Sequence, residues 1–326
     1  MNSNVDIYFK ENYAKLYERI EQGIVEKFNF KCNYGEIINL FIKRKIPNTD
    51  YFDLTTPYGY GGPRIISCKK GEEYNLVELY EKDFKEYCKK NNIIAEFVRF
   101  HPVIKNHKFF EKIYDIHLDR YTLGTNLCDY SNPIECEFSK SCKKNIKKAI
   151  KAGVSFEIEE KVNNIDEFIK IYYSTMKRNS ASDFYYFDKE YFYQSLDYFR
   201  ENIILVKAIF NNNVIAAGFY FIWDKIIHIH LSGTLSEYLY LSPAYILRYA
   251  VTLWGIENGY KLIHHGGGRS PSEEDGLYKF KKNFSKNTKF EFYLGKKIWN
   301  KDIYKKLSEN IPNEIEYFPK YRYKEK

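Results

Sequence analysis

The spacing of hydrophobic positions changes repeatedly between that of a strand and that of a helix along the chain. Short apolar stretches bounded by turn residues predict strands, whereas apolar residues three and four positions apart predict helices. The predicted strands span 36–46, 93–100, 114–123, 202–210, 214–223, 225–231, 261–265 and 289–294. The predicted helices span 72–91, 138–153, 165–176, 189–200, 243–258, 277–284 and 301–309. Helices and strands that alternate in this way predict an α/β or α+β fold.

The same order of elements occurs twice, as a helix, a strand, a hairpin, a helix and a further strand, which indicates a duplicated domain. We interpret the helix at 138–153 as a bridge between an N-terminal domain at 1–137 and a C-terminal domain at 154–326. Apolar residues form one stripe of this helix and lysines cover the rest of its surface. These lysines form either a solvated face or a contact surface for phosphates.

The composition is that of a folded protein with a mild excess of positive charge. Hydrophobic residues make up 44% of the chain and aromatic residues 18%, which is enough for substantial cores and argues against disorder. The net charge of +8 is spread evenly over both halves, without a basic arm or tail. It permits an anionic partner, and we expect no DNA partner.

Cysteine spacing and apolar runs argue against several other classes of protein. The six cysteines form no C-x-x-C pair and the seven histidines complete no metal spacing with them, so we expect reduced thiols and no bound metal. The segment 1–13 shows no basic-then-apolar signal, and the longest apolar run, 214–223, is too short to span a bilayer. We therefore expect a cytoplasmic protein with at most peripheral membrane contact.

An inward-facing lysine is the strongest candidate for chemistry. At about 100° per residue, Lys281 falls on the same side of the predicted helix 277–284 as Leu277 and Phe284. An ammonium group on an apolar face is costly unless it has a carboxylate, a phosphate or a cavity to face. Lys281 therefore either extends past the helix edge or pairs with Asp275, or it faces an anionic ligand or a developing negative charge.

Three consecutive glycines, Gly266, Gly267 and Gly268, end the predicted strand before this helix. Without Cβ atoms they form either a tight, bulged corner or a place where the backbone and the neighbouring Arg269 approach a ligand. Strand ends of this kind are where open α/β sheets bind ligands.

Two side chains near this corner are candidate proton acceptors. Asp275 either caps the following helix or acts as a proton acceptor. His264, at the end of the predicted strand, is either a structural residue or a second proton acceptor.

A loop rich in glycine and aromatic residues precedes Arg64 in the first half. Loops of this kind on a rigid scaffold often bind ligands, so Tyr58 and Tyr60 either stack on a sugar or a base or pack within a surface loop. Arg99 lies in a predicted strand, where it either pairs with an acid such as Asp53 or binds a phosphate. All four of these basic and aromatic side chains are candidate substrate-binding residues.

Five stretches of the sequence together resemble the Fem-like branch of the GNAT acyltransferase superfamily. They are KSCKKNIKKAIKAGVSF, YYSTMKRNSASDFYYF, VIAAGFYFIWDKIIHIHLSGT, SPAYILRYAVTLWGIENGYKLIHHGGG and EDGLYKFKKNFS. This branch comprises peptidoglycan interpeptide-bridge aminoacyltransferases and relatives with a BioF2-like acetyltransferase domain. The likeness covers most of the chain, best from 140 to 285. It implies two tandem GNAT-like domains, each a mixed, mainly antiparallel sheet flanked by helices, and transfer of an acyl group to an amine.

The resemblance also implies substrates and residue roles. In Fem enzymes the donor is an aminoacyl-tRNA and the acceptor is an amine of a cell-wall precursor, so it implies tRNA and a UDP- or lipid-linked precursor as partners, without a tightly bound cofactor. The lysine of the family's Phe-Lys pair maps onto Lys281, which would stabilise negative charge on the donor's sugar oxygen or on the tetrahedral oxyanion. The arginine in the first helix of the second domain maps onto Arg178, which would touch acceptor phosphates. Backbone N–H groups of 228–233 would polarise the donor carbonyl.

The sequence departs from GNAT enzymes that use coenzyme A. Those enzymes carry a glycine-rich pyrophosphate loop before the helix that follows the hairpin, whereas the segment 237–247 contains no glycine. Ser242 and Ala244 are small enough for a phosphate to approach the helix start, which makes them candidate cofactor-binding residues. The missing glycines favour aminoacyl-tRNA over acetyl-CoA as the donor. The coiled-coil arm of some Fem enzymes has no counterpart here.

Two other functions stay open. One is an acyl-CoA-dependent N-acyltransferase that acts on a nucleotide- or lipid-linked amino sugar in surface polysaccharide synthesis. The other is a non-catalytic binding module, which the combination of Lys281, Arg178 and the glycine corner disfavours. The sequence does not specify the acyl group, the acceptor amine or the oligomeric state.

Overall fold

The computed structural model describes residues 6–312 and 314–323. Residues 1–5 and 324–326 lie outside the described residues. They include the start of the segment 1–13, which shows no signal pattern, and the outer ends of the two predicted domains. The strands in chain order are β1 (Gly23–Cys32), β2 (Gly35–Lys45), β3 (Phe52–Thr55), β4 (Arg64–Cys68), β5 (Ile93–Arg99), β6 (Asp115–Asn126), β7 (Ser155–Glu160), β8 (Ile203–Phe210), β9 (Asn213–Trp223), β10 (Ile226–Thr234), β11 (Leu262–Gly266) and β12 (Lys289–Ile298). The α-helices are α1 (Glu11–Lys15), α2 (Glu18–Glu21), α3 (Glu73–Lys90), α4 (Pro133–Glu137), α5 (Lys140–Lys151), α6 (Asp166–Arg178), α7 (Lys189–Phe199), α8 (Pro243–Glu257), α9 (Gly276–Lys282) and α10 (Lys301–Ser308). Among the described helices, none has both the length and the apolar character that crossing a membrane requires.

The chain divides into two compact units. The first comprises Met1–Asp119 and Glu291–Lys326, and the second comprises Arg120–Phe290. These ranges differ from the predicted domains at 1–137 and 154–326, because β12 pairs with β5 and so brings the C-terminal segment into the first unit. Helix α5, predicted as a bridge at 138–153, lies within the second unit.

The first unit contains a mixed sheet covered by α3. Strand β2 pairs antiparallel with β1, β3 and β4, β3 pairs parallel with β5, and β5 pairs antiparallel with β12. Helix α3 is amphipathic, and its buried Tyr80 and Phe84 pack with Phe41 of β2 in an aromatic core.

The second unit is also a mixed, mainly antiparallel sheet with helices on both faces. Strands β6 and β11 are antiparallel, β11 and β10 are parallel, and the order continues antiparallel through β9, β8 and β7. Because successive residues of a strand face opposite sides, Phe219 packs against Phe168 of α6, whereas Tyr220 contacts Arg248 of α8. Helices α8 and α5 bury Leu247 and Ile146 in the core on the second side.

The predicted helices and strands lie where the periodicity places them, apart from their ends, whereas the strands β1, β3, β4 and β7 are not predicted. Helix α5 begins at Lys140 because the Ser139 hydroxyl accepts a hydrogen bond from the Cys142 N–H at 3.0 Å, and the short α4 precedes it. The spacing also predicts that Leu79 and Ile150 are buried, and this prediction is wrong. They are 38% and 46% exposed, because each helix buries a narrower stripe.

Candidate functional site

Two neighbouring parallel strands of the second unit diverge at their carboxyl ends. Within the described residues, β10 and β11 pair only from Ile226 with Leu262 to His228 with His264. A bulge between Ile229 and Leu231 then shifts β10 against β9. Beyond these pairs, the backbone N–H and C=O groups of the described part of β10 do not form ladder hydrogen bonds with those of β11. Such a divergence of strands is expected where an open sheet accepts a ligand.

The three glycines Gly266, Gly267 and Gly268 form a corner at the end of β11, which we call the glycine corner. Neighbouring side chains approach this corner so closely that side chains larger than glycine would not fit. Gly266 has a φ of +72°, a conformation that favours glycine, and a Cβ atom there would lie 3.4 Å from Nζ of Lys281. At Gly268 a Cβ atom would lie 2.6 Å from Oδ1 of Asp275. The predicted tight corner is therefore present, and the groups that approach it closely are the candidate catalytic side chains.

Lys281 points into this corner. Its side chain is half-buried, and its ammonium donates a hydrogen bond to the Gly267 carbonyl at 2.6 Å. Burial and then the charge of Arg248 lower the pKa of Lys281 to about 7, although Asp275 opposes this. No carboxylate of residues 6–312 or 314–323 forms an ion pair with Lys281, so the alternative that it pairs with Asp275 is wrong.

Asp275 is held in a structural role as the N-cap of α9. Its carboxylate accepts hydrogen bonds from the N–H of Tyr278 at 2.9 Å and from the N–H of Arg269 at 3.2 Å. Burial alone would raise the pKa of Asp275, but these backbone bonds outweigh it and leave the pKa below its usual value. A carboxylate stabilised in this way is a weak proton acceptor. The exposed Arg269 is fixed through its backbone.

The two histidines of β11 are both buried and bonded to threonines. Nε2 of His264 lies 3.0 Å from Oγ1 of Thr122, which favours the structural alternative for His264. Nε2 of His265 lies 2.8 Å from Oγ1 of Thr125, whose own hydroxyl donates to the Phe284 carbonyl. Burial, followed by the charges of nearby cations, lowers the pKa of His265 well below 6.5, so this ring is neutral at pH 7.

Arg248 is a residue of this region that sequence reasoning missed. It lies in α8, is 4% exposed, and donates through Nη1 to the hydroxyl of Tyr220. The signal was available, because a single arginine interrupts the apolar stretch PAYILRYAVTLWGI. The helical projection that identifies Lys281 identifies Arg248 as well.

The remaining candidates of the second unit lie at the ends of elements. Arg178, exposed at the end of α6, donates to the Thr234 carbonyl at 2.6 Å and to Oγ of Ser236 at 3.1 Å. Ser242 has a left-handed backbone with a φ of 55° and does not cap α8 with its side chain, and the half-buried Ala244 lies in the first turn. The helix start therefore has no side-chain cap at the N-cap position, which suits a phosphate there.

The aromatic loop of the first unit is packed rather than open. Tyr60 is 8% exposed, and its ring centroid lies 5.0 Å from that of Tyr8 and 5.1 Å from that of His101. Tyr60 therefore does not stack on a sugar or a base, which corrects that alternative. Tyr58 and Arg64 remain half-buried.

Arg99 does not pair with Asp53, and this prediction is wrong. Asp53 is fully buried between Arg44, at 2.8 Å, and Arg322, at 2.6 Å. The Arg99 guanidinium instead donates to the Thr56 carbonyl at 3.0 Å. Within the part of the chain that the structure describes, no carboxylate pairs with Arg99, so the phosphate alternative stays a prediction.

Comparisons with known proteins support the fold. Residues 137–282 match the family model described as an acetyltransferase (GNAT) domain. A crystal structure of FemX has a TM-score of 0.71 and 12% identity, covering 93% of this chain and 94% of that chain. The C-terminal domain of a putative lysylphosphatidylglycerol synthetase from Agrobacterium fabrum has a TM-score of 0.56 and 12% identity, covering 90% and 92%. L-PGS from Bacillus licheniformis has a TM-score of 0.56 and 11% identity, covering 88% and 91%.

No curated protein matches the chain. At these identities the structural likeness concerns the fold. It confirms the predicted α/β class and the predicted resemblance to the Fem-like branch.

Proposed function

We propose that the chain is an acyltransferase that moves an aminoacyl group from aminoacyl-tRNA to an amine of a cell-wall precursor. The match of residues 137–282 to an acetyltransferase (GNAT) domain and the fold shared with FemX support this proposal. The observation that carries the proposal is Lys281, a half-buried amine directed into the glycine corner where β10 and β11 diverge. The acceptor is a UDP- or lipid-linked precursor, and no tightly bound cofactor takes part.

In the proposed reaction the acceptor amine attacks the ester carbonyl of the donor. A C–N bond forms and the C–O bond to the ribose breaks, while the proton of the amine passes to the leaving oxygen. The Lys281 ammonium stabilises the negative charge that develops on that oxygen or on the tetrahedral oxyanion. A pKa near 7 suits this role, because an approaching anion favours the charged form. Backbone N–H groups of 228–233 polarise the carbonyl.

The choice of donor rests on the start of α8. This segment carries Ser242 and Ala244 but no glycine that would let a pyrophosphate approach closely. Arg178 is the proposed contact of acceptor phosphates, and Arg99 of the first unit remains a separate candidate for binding a phosphate. A second candidate function uses acyl-CoA and a nucleotide- or lipid-linked amino sugar, and the description of the matching family as an acetyltransferase favours it.

The test is a transfer assay with labelled aminoacyl-tRNAs and, separately, labelled acyl-CoAs. UDP-linked muropeptide and UDP-amino sugar serve as acceptors. We expect label in the muropeptide from aminoacyl-tRNA, and loss of that label in Lys281→Met. Lys279→Met is the matched control, because Lys279 lies on the same helix but is exposed and paired with Glu274. Transfer only from acyl-CoA, or full turnover by folded Lys281→Met, would reject the proposal.

A further inference from the structure

Arg248 is a buried cation that has no anionic partner among the residues that the structure describes. It is 4% exposed inside an apolar core that contains Ile246, Leu247 and Ala250. Its Nη1 donates to the Tyr220 hydroxyl, but its Nε has no hydrogen-bond partner. No carboxylate of the described ranges 6–312 and 314–323 forms an ion pair with it. Burying an uncompensated guanidinium is costly, so a ligand that neutralises it would offset a substantial penalty.

The hydrogen bond to Tyr220 positions Arg248 beside the residues of β10 that follow its last pair with β11. Its partner Tyr220 lies opposite Ile229, directly before the bulge of β10. A Cβ atom at Gly218 would overlap the Tyr220 ring, so the ring can occupy this position because residue 218 has no side chain. The preceding turn of α8 packs on α9, because the ring centroid of Tyr245 lies 5.4 Å from those of Phe280 and Phe284. After burial, the charge of Arg248 is the next cause that lowers the pKa of Lys281 and of His265.

Charges around this point do not balance. Lys281 and Arg248 are cationic, and no carboxylate of residues 6–312 or 314–323 forms an ion pair with either side chain. Among the charged groups that influence Lys281, Asp275 is the acid, and it is already engaged by the backbone of α9 and the corner. His265 is neutral. The complementary ligand therefore carries negative charge.

The depth of Arg248 limits what that ligand group is. A nearly inaccessible guanidinium is reached by a small, desolvated group rather than by the bulky diphosphate of a nucleotide or a lipid. A carboxylate matches the planar geometry of guanidinium and neutralises it.

We infer that Arg248 binds a carboxylate on the transferred acyl group, so that the donors are acidic aminoacyl esters such as aspartyl or glutamyl esters. This inference rests on the proposed function and makes Arg248 the residue that selects the acyl group. The carboxylate remains unchanged in the reaction, while the ester carbonyl reacts near Lys281.

The test compares acyl groups that differ in charge but hardly in size. One tRNA is charged with aspartate, asparagine, glutamate or glutamine, and transfer to UDP-muropeptide is followed in a single turnover. We expect the wild-type protein to prefer at least one acid over its amide by about tenfold or more. Arg248→Gln removes this preference by slowing acidic donors and sparing the amides, and Arg248→Lys restores part of it. Arg200→Gln, an exposed arginine bonded to Asn163, leaves all four rates unchanged.

A binding measurement keeps the inference testable if a variant does not fold or no ester is transferred. Calorimetry with wild-type protein compares amide-linked aspartyl-adenosine with asparaginyl-adenosine, and likewise the glutamyl pair, and we expect tighter binding of an acidic analogue. If Arg248→Gln slows all donors equally, Arg248 binds a phosphate common to them or has a structural role, and the inference is overturned. Equal binding of acid and amide overturns it too. Absence of transfer from every aminoacyl-tRNA, with acid-selective binding retained, rejects the proposed reaction alone.

Discussion

At the scale of single residues, the second unit contains two cationic side chains, Lys281 and Arg248, with which no carboxylate of residues 6–312 or 314–323 forms an ion pair. Burial of the Lys281 side chain, and then the charge of Arg248, makes the charged form of Lys281 more costly and lowers its pKa to about 7. If Lys281 works as a cation, its protonated form is the active one.

A pH–rate profile tests this role. In the wild-type protein kcat/KM, which reports ionisations of the free enzyme, should fall as pH rises through about 7, because Lys281 loses its proton there. Lys281→Arg keeps its charge at every accessible pH, so the falling limb should disappear even if the maximal rate is lower. Lys279→Arg should leave the profile unchanged. The same falling limb in wild type and Lys281→Arg would assign the ionisation to another group.

Glu96 is a second perturbed residue, in the core of the first unit. It is 1% exposed and accepts hydrogen bonds from Asn39 at 2.9 Å and from Tyr114 at 3.0 Å. Burial raises the pKa of Glu96 to about 7, although these donors oppose the shift.

This raised pKa predicts a stability that declines with pH. Between about 4.5 and about 7 the folded protein holds a proton that the unfolded chain has lost, so the free energy of unfolding falls as pH rises through that range. The full loss is on the order of 3 kcal/mol. Glu96→Gln removes this decline, because an amide does not titrate in this range. The core can accommodate the amide, because its oxygen replaces one acceptor and Asn39 can turn its Oδ1 towards the new NH2.

Urea unfolding at several pH values provides the measurement for Glu96. Relative to wild type, Glu96→Gln should become progressively more stable from about pH 5 to about pH 8. The control is Glu86→Gln, because Glu86 is exposed on helix α3, which packs over the core that contains Glu96. This variant should show no such trend. A difference between Glu96→Gln and wild type that does not change with pH would contradict the raised pKa.

Single residues were predictable where one element decides their surroundings. Helical projection is sufficient to predict that Lys281 faces inward. The position of Asp275 directly before α9 is sufficient to suggest that it caps the helix. The wrong partner of Arg99 shows the limit. Asp53 is paired by Arg322, which is 269 positions away, and no local pattern reports such a contact.

At the scale of elements, α6 and β10 approach each other through a glycine. A Cβ atom at Gly233 would lie 2.7 Å from the Ile171 carbonyl oxygen and 2.8 Å from Cα of Tyr172. These are backbone atoms of α6, which cannot rotate away. Arg178 at the end of the same helix bonds to Thr234, so the contact also positions a candidate binding residue.

Gly233→Ala should therefore destabilise the protein by about 1–3 kcal/mol, because α6 must shift away from β10. Gly276→Ala is the matched control, since Gly276 begins α9 and a Cβ atom there meets nothing within 4 Å. Its effect should stay within about 1 kcal/mol and favour the variant. Denaturant unfolding gives both values. Equal stability of the two variants would show that α6 accommodates the added methyl group.

Element prediction succeeded for long periodic segments and failed for short or exposed ones. Strand β7 has the sequence SFEIEE and buries none of its side chains fully, so its apolar signal is too weak to predict a strand. Strand β1 is not predicted for the same reason, because Phe30 is its one buried residue. The divergence of β10 and β11 could not be predicted either, because it depends on where pairing between distant segments stops.

At the scale of the whole molecule, the chain enters the second unit in β6 and returns to the first in β12. The sequence suggests two successive domains, because local periodicity does not reveal that the last strand pairs with a strand near residue 95. The first unit is thus assembled from both ends of the chain, whereas the second is continuous.

Removal of the C-terminal segment should unfold one unit selectively. A chain that ends at Phe290 loses most of β12, the bond from the Trp299 indole to Glu96 and the ion pair of Arg322 with Asp53. Amide hydrogen exchange should then show that β5 loses its protection while β8 and β9, within the continuous unit, keep theirs. A chain that ends at Ile311 retains β12 and is the control, in which β5 should stay protected. Slow exchange of β5 in the shorter chain would mean that the first unit folds without its C-terminal part, so the two-segment assembly would be dispensable.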